Sequence, residues 1–383
     1  MMIMDIQELR QHIDTIDREL VALYCSRMEV SRAIGEYKRE NNLPVRDSER
    51  ERALLNKVAD LAGAENEQGV RALYQLLLDQ SRLRQLLDAR PQSALGSMIR
   101  ETAEATPSLF PEKALVACQG VEGAYSQLAC EKIFRYPSIT YCRTFEDVFS
   151  AIESGQCRYG ILPIENSLAG SVNSVYDQMI RHRCFIVRSA RIRIDHTLLA
   201  LPGTKPDQIR EVCSHEQAIQ QCSAYLAGHP EWRVNVCTNT AAAARMVRDR
   251  GRADMAAISS AHCAPLYGLE ILQGGIQNNS NNHTRFICIS KKPEIFPGAN
   301  RTSLMLVLPD RPGVLYQVLS RFNAQGVNLT KLESRPIPGR DFEFMFYFDL
   351  DASVGSPSFS RLIEELDVTL DRFTYLGSYS EVI

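Results

Sequence analysis

From Ile6 the apolar residues recur at a three-to-four spacing: Ile6, Leu9, Ile13, Ile16, Leu20 and Leu23, then Val30, Ile34 and Tyr37. This period predicts one helix reaching about Asn41, where "NNLP" stops it at Pro44. A helix of ~35 residues spans ~50 Å, more than a small domain is wide, so its apolar stripe is expected to pack against a partner chain. "PVRDSERERALLNKV" starts a second helix with Asp47 as its N-cap, and "GVRALYQLLLDQSRLRQLL" forms a third that carries Ser81 and Gln85 at i and i+4. Residues 89–113 lose the period and hold three prolines, which reads as an interdomain linker.

After Ala114 short apolar runs alternate with amphipathic helices: "ALVACQ", "SITYC", "YGILPI", "CFIVRSARI", "TLLAL", "VNVCT", "DMAAISS" and "RFICIS". Such alternation predicts an α/β region of mostly parallel strands, with ligand-bearing loops at their carboxyl ends. Residues 302–383 read strand, helix, strand, strand, helix, strand, the βαββαβ order of a ferredoxin-like fold. In its third strand Phe342, Phe344, Phe346 and Phe348 alternate with mostly polar neighbours and supply one face for packing under helices.

A chain of 383 residues exceeds what one core holds, ~250–300 residues, so two or three domains are expected. Net charge is −3, from 43 basic and 46 acidic residues, which excludes a global basic field for nucleic acid or an anionic membrane. Anion binding then falls to local clusters. No apolar run approaches the ~20 residues of a membrane span, and the first residues lack a basic-then-apolar signal, so a cytoplasmic protein is expected. The 11 cysteines contain no C-x-x-C pair and the seven histidines no H-x-x-x-H, which reads as reduced core thiols and no metal site.

The apolar period reserves a position between Leu23 and Val30 that Arg27 occupies. Lys38 follows three turns later and only ~20° round the helix, so both cations share a face. Read alone, they are equally a snorkelling seam arginine and a surface lysine. Arg10 stands ~25 Å along the axis and ~100° round from Arg27, so it joins the same site only from an antiparallel copy. With Asp47, Arg50, Glu51, Ser81 and Gln85, these cations, carboxylates and neutral donors suit a small dicarboxylate. The set closely resembles the all-helical chorismate mutase domain, an intertwined three-helix dimer converting chorismate to prephenate. The resemblance implies that Arg10, from the other subunit, and Arg27 hold the carboxylates and that Lys38 and Gln85 hydrogen-bond the ether oxygen. Asp47, Arg50, Glu51 and Ser81 then position the hydroxyl and ring.

Four polar loops punctuate the α/β region. "GVEGAYSQLA", Gly120 to Ala129, lacks a full G-x-G-x-x-G, which excludes a dinucleotide site and leaves a tight turn feeding a helix. Glu165-Asn166-Ser167 follows "YGILPI", Ser214-His215-Glu216-Gln217-Ala218 follows "EVC", and Thr284-Arg285-Phe286 opens the last strand behind "NNSNNH". In order and separation these loops resemble prephenate dehydratase, with Glu216 where that family commonly has proline. The implied fold is two α/β lobes around a cleft, like periplasmic binding proteins. The implied roles are Thr284 donating to the departing hydroxyl, with Asn166, Ser126 and Gln217 orienting the ring and side-chain carboxylate. Arg285 serves a carboxylate or its own loop, Glu165 and Phe286 complete the motifs, and the proton source stays open.

Asp310-Arg311-Pro312-Gly313-Val314-Leu315 and Glu333-Ser334-Arg335-Pro336 resemble the amino-acid-binding ACT domain, with Gly313-Val314-Leu315 departing slightly from the form in some relatives. This implies phenylalanine sensing through Asp310, Gly313, Val314, Leu315, Glu333, Ser334 and Arg335. The expected domains are a mutase at 1–90, a linker at 91–113, a dehydratase at 114–293 and a sensor at 300–383. The expected protein is a homodimer or larger homo-oligomer that needs no cofactor and handles chorismate, prephenate and L-phenylalanine. Two other readings stay open: a second activity that prefers arogenate, and a solute-binding or regulatory module attached to a mutase.

Overall fold

The computed structural model describes residues 5–89, 93–337, 343–370 and 372–382. The chain divides into two compact units, one drawn from Met1–Met98 and Pro357–Phe373, the other from Ile99–Ser356 and Thr374–Ile383.

In the first unit helix α1 (Ile6–Glu40) begins where the Glu8 carboxylate accepts the Asp5 N–H at 3.3 Å. It is the long helix the apolar period predicts. Helix α2 (Ser48–Ala89) starts at Asp47, whose Oδ1 accepts the Arg50 N–H at 2.9 Å. The expected second and third helices meet with no loop between them, at Gly63, whose φ of +70° breaks the helical path as only glycine does cheaply. The stripe from Ile6 to Tyr37 stays uncovered, with its nine apolar side chains between 45% and 67% exposed. Helix α12 (Pro357–Thr369) packs on α2, and its Asp367 accepts the Ser93 hydroxyl at 2.8 Å.

The stretch expected to be linker contains helix α3 (Ala94–Ala105). Pro107 and Pro111 follow the helix, where they do not interrupt it, Pro91 lies outside the described residues, and Ile99 is 2% exposed.

The second unit holds three sheets. The first runs β16 (Glu381–Val382), β5 (Phe185–Arg193), β11 (His283–Ser290), β3 (Tyr159–Asn166), β1 (Lys113–Gln119) and β2 (Tyr136–Cys142), with β4 (Gly170–Ser171) on β3. The second runs β10 (Glu270–Gly274), β6 (Thr197–Ala200), β9 (Met255–Ser259), β7 (Glu211–His215) and β8 (Arg233–Cys237). Helices α4 (Tyr125–Ile133), α5 (Phe145–Glu153) and α6 (Asn173–Arg181) follow strands of the first sheet. Helices α7 (Glu216–Gln221), α8 (Ser223–Ala227), α9 (Thr240–Arg250) and α10 (Cys263–Tyr267) follow strands of the second. The expected mostly parallel arrangement holds for β1, β2 and β3 and for β7, β8 and β9. By contrast β11 runs antiparallel to β3 and β5, and β6 antiparallel to β9 and β10, because the chain leaves the first sheet after β5 and returns as β11.

The third sheet has the order β13 (Asn328–Pro336), β14 (Phe344–Asp351), β12 (Arg301–Leu308), β15 (Phe373–Tyr379), and α11 (Val314–Ala324) follows β12. That order is ferredoxin-like. Phe348 meets Phe322 of α11 edge-on at 5.3 Å, as the alternating phenylalanines predict, whereas Phe344 is exposed and Phe342 lies outside the described residues. The opposite face of β14 is also buried: Met345 and Tyr347 share one core with Leu162, Ile164, Tyr176 and Ile287. Gly377 lets β15 approach β5 so closely that any Cβ there would collide with the Ile186 carbonyl oxygen. Ten of the 11 cysteines are buried free thiols. Among the described residues no helix is long and apolar enough to cross a membrane.

Candidate functional sites

Along α1, Arg27, Ser31 and Gly35 recur every fourth residue and so face α2 together. Arg27 Nη1 donates to Ser81 Oγ at 2.6 Å and to the Leu77 carbonyl at 3.2 Å, while Ser81 Oγ donates to that same carbonyl at 2.8 Å. One turn further Gln85 Nε2 donates to Ser31 Oγ at 3.1 Å, and Gln85 Oε1 is buried with no partner among the described residues. A Cβ on Gly35 would lie 2.8 Å from Gln85 Cγ, so glycine is what lets the helices close here. Ser31 and Gly35 were not singled out from the sequence, although their four-residue spacing from Arg27 was there to read.

The other expected residues of this unit are placed less compactly. Lys38 Nζ donates to the Val45 carbonyl at 2.7 Å, Asp47 is spent on the helix cap, and Glu51 accepts from Arg82 at 2.5 Å. Arg10 and Arg50 are exposed.

In the second unit a cavity of about 550 Å³ is lined from the first sheet's side by Gln119, Ser126, Asn166, Thr284 and Phe286, and from the second's by His215, Gln217, Gln221 and Asn239. Ser126 sits in the first turn of α4, reached through Gly123. Gly123 has φ +86°, and a Cβ there would lie 2.8 Å from Cys263 Sγ of α10. Gln217 opens α7, where the His215 ring Nδ1 accepts its N–H at 3.3 Å.

Thr284 and Asn166 are paired in register across β11 and β3. Asn166 Oδ1 accepts the N–H groups of Leu168 at 3.1 Å and Ala169 at 2.9 Å, so its other end is the amino group. That Nδ2 donates to Thr284 Oγ1 at 3.0 Å and to Asn282 Oδ1 at 2.8 Å. Because Oγ1 is the acceptor, the hydroxyl hydrogen of Thr284 is left for another acceptor.

Asn282, fully buried, passes the chain on: its Nδ2 donates to Gln221 Oε1 at 3.0 Å, and His196 Nε2 lies 2.9 Å from that same oxygen. Burial holds the His196 pKa below its ordinary value of 6.5. Gln221 and His196 also line the cavity. None of these three was identified from the sequence. The one signal for Asn282 was its position in the Asn-rich run before Thr284.

Strand alternation turns the neighbours of the pair the other way. Arg285, expected to meet a carboxylate or its own loop, does not line the cavity. It is buried against Asp349 of β14, with Glu165 Oε2 at 3.5 Å. Burial opposes the Arg285 charge, but Asp349 outweighs it and raises the pKa. Glu165 Oε1 accepts from Lys331 of β13 at 2.7 Å, and Ser171 Oγ donates to Glu333 at 2.5 Å. Arg335 pairs with Asp177 of α6 at 3.0 Å.

The expected sensor residues are therefore split. Glu333 and Arg335 face β4 and α6, whereas Ser334 is exposed on the other face of β13. Asp310 and Gly313 are exposed ahead of α11, Gly313 with φ +83°, and Val314 and Leu315 are half-buried in its first turn.

A family model described as chorismate mutase type II matches residues 9–86, one described as prephenate dehydratase matches 116–294, and one described as ACT domain matches 302–367. Over 97% of its length the chain is 32% identical to the bifunctional chorismate mutase/prephenate dehydratase of Escherichia coli (strain K12), of which it covers 95%. It is 31% identical to the bifunctional chorismate mutase/prephenate dehydratase of Aquifex aeolicus (strain VF5), with 99% of each chain covered. A crystal structure of prephenate dehydratase from Arthrobacter aurescens in complex with L-Phe matches with TM-score 0.64 at 26% identity, over 70% of this chain and 90% of that one.

Proposed function

Because the chain belongs to the family of bifunctional chorismate mutase/prephenate dehydratases, we propose that its helical unit rearranges chorismate and that the 550 Å³ cavity receives the product. The protein is an enzyme with both activities and serves phenylalanine biosynthesis under feedback by L-phenylalanine. A mutase on the same chain makes prephenate, which favours prephenate over arogenate as the second substrate. The three matched spans support domains at 1–90, 114–293 and 300–383, with α3 between the first two.

The observation that carries the dehydratase assignment is the Asn166–Thr284 pair. In the reaction the ring carboxylate leaves as carbon dioxide, its bonding electrons enter the ring, and the hydroxyl opposite departs and takes up a proton as water. A donor aimed at the departing oxygen lowers that barrier. Thr284 fits this task, since Asn166 occupies its acceptor side and leaves its hydrogen free. Ser126 and Gln217 then hold the ring and side-chain carboxylate, and Phe286 walls the cavity. Arg285 and Glu165 brace β11 and β3 from behind.

The mutase rearrangement needs no nucleophile or base, so holding the reactive conformer and stabilising the ether oxygen suffice. Arg27, Ser81 and Gln85 are already gathered for this. Arg10 comes from a second copy whose α1 covers the exposed stripe of the first, making a homodimer or a larger assembly. Phenylalanine binds near Gly313 and Ser334, and the enzyme works in the cytoplasm without a metal or cofactor.

The test supplies chorismate and prephenate separately and follows phenylpyruvate with and without phenylalanine. Both substrates should yield phenylpyruvate, and phenylalanine should suppress it. Formation of prephenate alone from chorismate would leave the mutase standing and overturn the assignment of the cavity.

A further inference from the structure

A primary carboxamide can turn end for end, and whether Gln221 shows the cavity its oxygen or its amino group decides whether it attracts or repels an anionic substrate. The surrounding hydrogen bonds remove that freedom. Two backbone N–H groups fix Asn166 Oδ1, so the end facing Asn282 is the Asn166 amino group and Asn282 must answer with Oδ1. The far end of Asn282 is then its amino group, and Gln221 must answer with Oε1. That oxygen also faces His196 Nε2, which must therefore carry a hydrogen, leaving Nδ1 as the bare lone pair of a neutral ring. Nδ1 is buried without a partner among the described residues. A lone pair tolerates this better than an N–H would, which agrees with the lowered His196 pKa.

Both lone pairs of Gln221 Oε1 are thus occupied by donors from two different segments, while Gln221 Nε2 has no partner among the described residues. The side chain lines the cavity. We propose that Asn282 and His196 are positioning residues that lock the Gln221 carboxamide with its amino group toward the substrate, a preset donor for an anionic oxygen of prephenate. The lock is a chain of forced choices that starts at the backbone of residues 168 and 169 and ends at a histidine tautomer. It rests on the assignment of this cavity to the dehydratase reaction. Its orientation does not depend on pH near neutrality, because Nε2 donates from either ring state and burial keeps the ring neutral.

Asn282→Asp tests it in the full-length enzyme. The introduced carboxylate still accepts from Asn166, so Thr284 is undisturbed, but it cannot donate to Gln221. Gln221 must then turn its amino group toward that carboxylate, present its oxygen to the cavity and force His196 to the Nδ1–H tautomer. The expected result is a KM for prephenate raised ~10- to 100-fold, kcat within a few-fold, and mutase activity unchanged. The ring ¹⁵N shifts of His196 should move from the Nε2–H to the Nδ1–H pattern.

His196→Gln keeps a donor near the Nε2 position and should keep KM within a few-fold, whereas His196→Leu should raise it. If Asn282→Asp destabilises the cleft, this pair decides the matter. Equal KM for the two His196 variants, or a His196 tautomer that is not Nε2–H in the unaltered enzyme, overturns the proposal. A KM unmoved by Asn282→Asp despite the tautomer change overturns it too, by showing that the orientation of Gln221 is indifferent to substrate. Failure of the cavity assignment itself would show differently, as dehydratase activity that survives Thr284→Val while the tautomer remains Nε2–H.

Discussion

The two candidate active sites reach order by opposite routes. In the cleft one chain links Asn166, Thr284, Asn282, Gln221 and His196 from a backbone anchor outward, each donor or acceptor role following from its neighbour's, with His196 Nδ1 alone of their buried side-chain atoms without a partner among the described residues. In the helical unit Arg27, Ser81 and Gln85 are gathered, but Gln85 Oε1 is buried and unpaired among the described residues, Arg10 is exposed far along α1, and the apolar stripe beside them is bare. A site whose side chains meet within one chain is ready before substrate arrives. In the proposed dimer, a site that lacks Arg10 and lies beside an uncovered stripe is completed by the second chain. Dilution should therefore weaken mutase activity before it touches the dehydratase cleft.

Four experiments break or sharpen this contrast. The largest effect belongs to Thr284→Val, which should lower dehydratase turnover about 10²- to 10⁴-fold while leaving the mutase intact, measured as phenylpyruvate and prephenate formation on one preparation. Near-normal turnover would remove Thr284 from the reaction. Next, Arg10→Ala and Arg27→Ala should each cost the mutase roughly 10- to 100-fold, as the loss of a charge-assisted contact does. Co-expression of the two variants should restore activity, because each mixed dimer then contains a site with both arginines. A mixture no better than its components would mean that the site is built within one chain.

Gln85→Glu gives a change in pH profile. A carboxyl there donates only while protonated, with a pKa pulled above its ordinary ~4.3 by burial, so mutase activity should appear at acidic pH and vanish toward neutrality. A flat profile removes Gln85 from the ether oxygen. The smallest effect concerns stability. The folded-state pKa of His196 is depressed, so the neutral ring's contribution is fully present above the unfolded value near 6.5 and is lost as pH falls through the lower folded value. Urea midpoints read from Trp232, the single tryptophan, should decline between neutral and acid pH, and less so in His196→Gln. Identical declines would place the acid sensitivity elsewhere.

Much of this was legible from sequence where chemistry and period coincide. The long α1 and the Asp47 cap follow from local patterns, and Thr284 and Asn166 were named through a family resemblance, without their pairing across β11 and β3. Orientation was harder to read. Arg285 adjoins Thr284 in sequence yet faces Asp349, and Glu333 and Arg335 point away from Ser334, because strand neighbours face opposite sides and a motif does not say which side is the site. Helix α3 hid between prolines that read as a linker but only bound it. Gln221 and His196 lie outside the recognisable loops, and their partner Asn282 is reached only after the chain has crossed between sheets and returned. Long-range hydrogen bonds of that kind leave no periodic trace.

The short strand β16 lies in parallel beside β5, and β5 is the neighbour of β11, which carries Thr284. An edge of the catalytic sheet is therefore made by residues translated after the whole ferredoxin-like sheet. During synthesis that edge stays open, with unpaired backbone groups along β5, until the sensor has been made and Glu381 and Val382 have emerged. The order of assembly thus runs opposite to the order of reaction: the catalytic sheet is begun early and closed last, with the regulatory sheet made before its edge is sealed.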